Sequence, residues 1–403
     1  MLIKNENSNF AIVVEIKMIF KYLTLAFICV STSVYSQNNQ TTIQLENSIF
    51  EPLAKDVKTF EGVLGGCRVS EQSALFTMNF NNNVKEITLL KIRARTNDFE
   101  TTTIKIAIDN LGERAVVAAS RPIETKNGLF LITAQSDGQL YVSKIDLNKQ
   151  TLYQSQAVSK FRLNLQLYID AVINKDGIWL FTGQDSDVQI DLVSNDFKLV
   201  ESKTIAVSAQ ISKIEATSSA QGVFIAAHAG EQYDLSKIAY ANNKITTKSD
   251  GKRPYQRLAI DRNFDTGEFL GLHIFSMLGV PVGGLNIMHG QFGKSAMFGN
   301  SDTTLMKQQF SYPSIGFARL DDKNVAIGVV ANTKWMVHKA PLDINYKTAP
   351  AYSSYKFWID SSAEAPRSTF DVQLFCPLSK NEFMGINTVE KKEQRGLFVG
   401  RFR

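Results

Sequence analysis

Apolar and polar residues alternate along this chain with a period of two, in short runs separated by polar turns, and not with the 3.6-residue period of a helix. Residues 127–148, NGLFLITAQSDGQLYVSKIDLN, carry the pattern most clearly. An apolar run opens on Gly128, a Ser-Asp-Gly turn follows, and a second run alternates residue by residue. Alternation of this kind, bounded by Gly, Asn and Asp, predicts a pair of antiparallel strands. No window offers a convincing amphipathic helix, so the expected fold class is all-β.

The same grammar recurs. KDGIWLFTGQDSDVQIDLV opens on Lys175 and QGVFIAAHAGEQYDLSKIAY on Gln221, each an apolar strand, a turn and an alternating strand. The opening glycines Gly128, Gly177 and Gly222 stand 49 and 45 residues apart, and Gly267 follows 45 further on. Further candidate units open at Lys323 and Lys380, and one lies upstream around 62–94. Repeats of roughly 40–50 residues with several strands each are the signature of propeller blades. One four-stranded blade leaves both faces of its sheet exposed, so blades must pack on one another and the ring must close. The expectation is a single β-propeller over residues 37–403, of seven four-stranded blades. The terminal strand RGLFVGRFR is placed to complete a blade begun by N-terminal residues.

One unit departs from the pattern. After Gly267 the second strand is expected only near Leu285, and from Leu270 to Gly293 there is no Asp, Glu, Lys or Arg. A hairpin tip carrying Phe275, Met277, Leu278, Val280 and Pro281 would expose apolar surface, the mark of a protein-binding site. Two long strands folded into a blade interface are the alternative.

The N-terminus reads as an export signal. From Met18 come a lysine, an apolar run over 22–30, then small residues with Val34 and Ser36 at the −3 and −1 positions of a cleavage site. Met18 is the expected true start, residues 1–36 the signal, and the apolar run is too short to span a bilayer. Ile28 before Cys29 argues against a lipid anchor. The expected mature chain keeps Cys67 and Cys376, one in the first unit and one in the last. Neighbours in a closed ring, they are candidates for a disulfide in an oxidising compartment; two separate buried thiols are the alternative.

Composition narrows the chemistry. The 403 residues carry a net charge of +5 without a run of like charges, so no nucleic-acid surface is expected. His228 and His273 each fall six residues after an opening glycine, and equivalent positions in adjacent blades would make them a metal pair. No third ligand recurs at that offset, so no cofactor is expected. QDSDVQID at 184–191 gathers Asp185, Asp187 and Asp191 but lacks the glycine and distal glutamate of a calcium loop, and is expected to be a solvated hairpin turn. No G-x-S-x-G, H-E-x-x-H or C-x-x-C motif occurs.

The signal ending Ser36-Gln37 resembles those of exported Bacteroidota proteins, and the repeats that follow resemble their divergent seven-bladed propellers. WD dipeptides, the recurring glycine pairs of kelch repeats and tryptophan docking repeats are lacking. The resemblance implies a periplasmic, non-enzymatic scaffold that docks on an envelope or outer-membrane protein complex, such as the plug-like component of the type 9 secretion translocon. A carbohydrate-active propeller, lyase or hydrolase, is the competing expectation.

Overall fold

The computed structural model describes residues 45–402 apart from connections at 53–62, 71–72, 79–83, 96–98, 126–127, 220–221, 254–256, 261–267, 278–279, 292–297, 303–313, 320–323, 332–333, 342–355, 358–366, 369–372, 380–381 and 392–393; side chains are described mainly between 66 and 260. The expected signal at 1–36 lies outside the described residues. Among the described residues every regular element is a strand. Among the described residues no helix is long and apolar enough to cross a membrane.

The strands fall into antiparallel sheets that follow the repeats. β1 (Leu45–Pro52) is set aside for the end of the chain. β2 (Val63–Ser70), β3 (Ser73–Met78), β4 (Glu86–Ala94) and β5 (Phe99–Ile108) pair in sequence order. In the next sheet the first strand is split into β6 (Val116–Ala119) and β7 (Ile123–Thr125), followed by β8 (Gly128–Gln135), β9 (Gln139–Asp146) and β10 (Thr151–Lys160). The outer strands β5 and β10 touch in parallel at Thr151 and Leu152, which joins these two sheets. β11 (Tyr168–Asn174), β12 (Gly177–Gln184), β13 (Asp187–Val193) and β14 (Leu199–Ala206) form another sheet, and β15 (Ile211–Ser219), β16 (Gly222–Ala229), β17 (Gln232–Ala241) and β18 (Lys244–Arg253) the one after it. They are followed by β19 (Arg257–Ile260), β20 (Glu268–Met277), β21 (Val280–Gln291) and β22 (Phe298–Asp302). Then come β23 (Ser314–Arg319), β24 (Asn324–Ala331), β25 (Lys334–Pro341) and the short β26 (Lys356–Phe357). The last sheet holds β27 (Arg367–Ser368), β28 (Gln373–Ser379), β29 (Glu382–Lys391) and β30 (Gln394–Phe402).

That last sheet is completed by the other end of the chain. β1 pairs antiparallel with β30, Ile49 opposite Val399 and Glu51 opposite Leu397. The first strands of successive sheets lie side by side, β2 against β7, β7 against β11, then β15, β19, β23 and β28 in turn, and β28 returns to β2. The strands bearing Cys67 and Cys376 are therefore neighbours at this seam.

The core explains the arrangement. Along β12, Ile178 and Leu180 join a cluster with Phe130, Ile132 and Val142 of the preceding sheet, while Trp179 and Phe181 join one with Ile214, Val223 and Ile225 of the following sheet. β16 repeats the scheme: Val223 and Ile225 pack backwards, Phe224 and Ala226 pack forwards with Leu258 and Phe269. Alternate residues of one strand point to opposite faces, and here both faces are dry, so these strands are apolar throughout and not amphipathic.

The opening glycines have a common cause. Gly128, Gly177 and Gly222 have φ of 121°, 140° and 132°, a region that residues with a Cβ rarely adopt. Each follows the tight connection from the first strand of its sheet into the second. A Cβ at Gly177 would also press into the Val193 carbonyl oxygen, whereas at Gly128 the nearest atom, Lys144 Cε, is 3.4 Å away at the end of a flexible side chain. Gly177→Ala is therefore expected to cost about 3 kcal/mol and Gly128→Ala about half that. Urea denaturation of the two variants checks this, and equal losses would show that crowding at Val193 contributes nothing.

Candidate functional site

The uncharged stretch forms one long hairpin. β21, at 12 residues, is longer than any other described strand. It begins at Val280 and not near Leu285, which corrects the delayed-strand expectation: the strands run to the tip, with Met277 opposite Val280 and Phe275 opposite Gly284. β19 pairs with β20 only from Phe269 to Leu272, and β22 pairs with β21 only from Leu285 to His289. Among the described residues, the part of the hairpin beyond those pairs is a two-stranded ribbon. Phe275, Met277, Val280 and Pro281 all fall on it; Leu278 lies outside the described residues.

The histidines sit on second strands of successive sheets, His228 on β16 and His273 on β20. The His228 ring stacks on Tyr233 with centroids 4.6 Å apart, and its Nδ1 is 2.6 Å from Ser212 Oγ. The His273 side chain is outside the described residues. Among the described residues no group of three His, Cys, Asp or Glu side chains could hold a metal ion.

A polar network that the repeat pattern did not expose lies on the inner strands. Arg121, Asp170 and Glu215 each stand seven residues before the opening glycine of their units. The first strand of the Gly128 unit breaks at Pro122, which has no N–H to donate to a ladder, and Arg121 sits in that break between β6 and β7. Its Nε donates to Asp170 Oδ1 at 3.1 Å and its Nη2 to the Ala171 carbonyl at 2.9 Å. Asp170 Oδ2 accepts from the Ala216 N–H of the next sheet at 2.8 Å. One buried carboxylate thus ties three successive sheets. Glu215 is ion-paired with Lys213 at 3.4 Å.

The 184–191 stretch divides into a turn and a buried site. Asp185 occupies the turn with φ 55°. Asp187 pairs with Arg162 at 3.5 Å, both side chains about half exposed. Asp191 is fully buried, which corrects the solvated-turn expectation. Its carboxylate accepts from Gln189 Nε2 at 2.9 and 3.2 Å and from Ser202 Oγ at 2.5 Å. Burial pushes its carboxyl above the ordinary value, opposed by hydrogen bonds from Ser159, Ser202 and Gln189. Register places Thr182, Gln189 and Thr204 opposite one another, two rows along from Asp191 and on the same face. Beside them a pocket of about 290 Å³ opens against the end of β10.

The Ser-Asp-Gly turn is occupied by structure of its own. Asp137 accepts from the Gln139 N–H at 3.0 Å, from Tyr141 at 2.7 Å and from Arg114 at 3.3 Å, and Arg114 also donates to the Tyr141 hydroxyl. Burial opposes ionisation of Asp137, but these donors hold its carboxyl below the ordinary value.

The RRP9 WD40 repeats are similar to this chain with a TM-score of 0.51 and 9% identity, covering 90% of this chain and 100% of theirs. U3-55K is similar with a TM-score of 0.50 and 8% identity, covering 88% of this chain and 98% of that one. The chain is a β-propeller. No protein-family model and no curated protein sequence matches it, so the likeness is one of fold.

Within the propeller, the Asp170 tie is expected to be structural. Asp170→Ala strands the Arg121 guanidinium and the Ala216 N–H in a buried seam and should cost about 3–5 kcal/mol. Asp187→Ala breaks only a half-exposed pair and should cost under about 1 kcal/mol. Chemical denaturation of both variants decides the point; similar losses would remove the special role of Asp170.

Proposed function

We propose that the chain is an exported, non-enzymatic propeller that acts as a protein-binding scaffold, and that it docks on an outer-membrane or secretion assembly through the tip of the β20–β21 hairpin. The supporting observation is the ribbon itself. A two-stranded hairpin is marginal in water without a third strand or a packed face. This one is uncharged over 270–293 and has no third strand at its tip among the described residues. A protein surface that covers the ribbon would supply the missing face. The signal-like segment at 1–36 supports a partner in the cell envelope, with the propeller in the periplasm, and the resemblance to exported Bacteroidota propellers makes a plug-like role in type 9 secretion the finer reading. The sheets are proposed to close as seven blades.

A benzophenone cross-linker at position 277 tests the reading in cells. The expected product is a discrete adduct with an integral outer-membrane protein, lost when Met277→Asp and Leu278→Asp are combined while the thermal unfolding midpoint stays within a few degrees. Recovery of uncross-linked monomer alone, with the propeller correctly exported, would overturn it.

At the seam, we propose that Cys67 and Cys376 form a disulfide between β2 and β28. The closed loop spans some 300 residues, for which chain entropy gives about 6 kcal/mol of stabilisation at most. Non-reducing peptide mapping of protein purified from its native compartment should recover the two cysteine peptides linked, and reduction should lower the unfolding midpoint. Recovery of both peptides unlinked from oxidised protein would exclude the bond.

A further inference from the structure

The pocket beside β10 has a chemically specific lining. Thr182 is 2% exposed and lines the pocket, yet its Oγ1 has no hydrogen-bond partner among the described residues. A buried hydroxyl without a partner is costly unless a water or a ligand completes it. Gln189 commits its Nε2 to Asp191 and Ser159, which leaves Oε1 as the acceptor it offers the pocket. The Gln184 amide, by contrast, is saturated: it accepts from the Arg162 N–H at 2.8 Å and donates to the Arg162 carbonyl at 2.7 Å, so it fixes the wall. That wall carries Lys160, Phe161 and Arg162. Lys160 makes no ion pair among the described residues, and Arg162 holds Asp187 only at 3.5 Å.

The lining therefore offers two cations, Lys160 and Arg162, against one carboxylate, Asp187, with an acceptor, an unpartnered hydroxyl and an aromatic ring around a volume at the small end of ligand pockets. Each group has a counterpart in a sugar acid. A carboxylate meets Lys160 in a charge-assisted contact. Ring hydroxyls donate to Gln189 Oε1 and exchange hydrogen bonds with Thr182 and Thr204, and the apolar ring face lies on Phe161. A neutral sugar leaves Lys160 unused, and a simple inorganic anion leaves the Thr182–Gln189 row unused. We propose that this inter-sheet pocket binds a hexuronate, either as the free acid or as the terminal residue of an acidic glycan.

Titration calorimetry with glucuronate and galacturonate tests this on the mature propeller, with glucose and inorganic phosphate as comparisons. One of the uronates is expected to bind saturably and about tenfold more tightly than either comparison. Lys160→Gln, an exposed position that leaves the fold intact, should weaken uronate binding about tenfold and leave glucose unchanged. Thr182→Val should weaken uronate and glucose together, with circular dichroism confirming the fold. A uronate trisaccharide bound more tightly than the monosaccharide identifies the glycan end as the ligand, and one bound more weakly identifies the free acid. Uronate binding no tighter than that of glucose or phosphate, or affinity unchanged in Lys160→Gln, would overturn the proposal.

Discussion

The structure depends on burying both faces of the second strand in each sheet. Trp179 and Phe181 on one side of β12, and Ile178 and Leu180 on the other, are all at most 3% exposed. A lone sheet with two such faces would expose several large side chains, each worth about 1.5–3 kcal/mol when fully buried. Only a neighbour on each side removes that penalty, and the requirement passes from sheet to sheet until it meets itself. The return of β28 to β2 and the pairing of β1 with β30 follow from this need. β1 and β30 are joined because the last sheet would otherwise keep an unpaired edge at the seam.

Apolar packing is non-directional, so it does not fix how sheets stand relative to one another. Asp170 supplies direction. Its two oxygens take hydrogen bonds from the sheet before and the sheet after, at 3.1 and 2.8 Å, in a region from which water is excluded. Buried charges of this kind contribute little net stability, because desolvation offsets the attraction. Their effect is to penalise any other placement of the neighbours, and the break at Pro122 that presents Arg121 belongs to the same device.

Residue pattern alone carried the strands, the repeat and the closing strand, because they follow from alternation and from glycines at positive φ. Gly128, Gly177 and Gly222 are legible for a plain reason: no other residue suits that backbone. The inner-strand ties were not legible. Arg121, Asp170 and Glu215 share an offset but not a residue type, and an ion pair between sheets shows its logic only when the sheets are side by side. Asp191 misled for a similar reason. Its three-aspartate stretch looks uniformly polar, yet the turn at Asp185 faces water while the residue six further on is enclosed by Ser159, Gln189 and Ser202. The extra length of the β20–β21 hairpin was visible as missing charge, but its pairing to the tip was not, since apolar runs fit a strand and an apolar loop equally.

The same burial rule indicates where this propeller has room for function. Apolar residues fill the gap in front of the β11–β14 sheet along only part of its length. On β12 the change comes between Leu180, buried in the apolar cluster, and Thr182, whose hydroxyl is left without a partner. Polar side chains take over there, and the gap becomes a pocket. Beyond β19 and β22 the β20–β21 ribbon is unfinished in a different sense, having backbone edges but no adjoining strand. One gap is polar, small and cationic, while the ribbon is extended and uncharged. Under the two proposals the gap would take a small acid and the ribbon a protein surface, because the chemistry each leaves unmet is different.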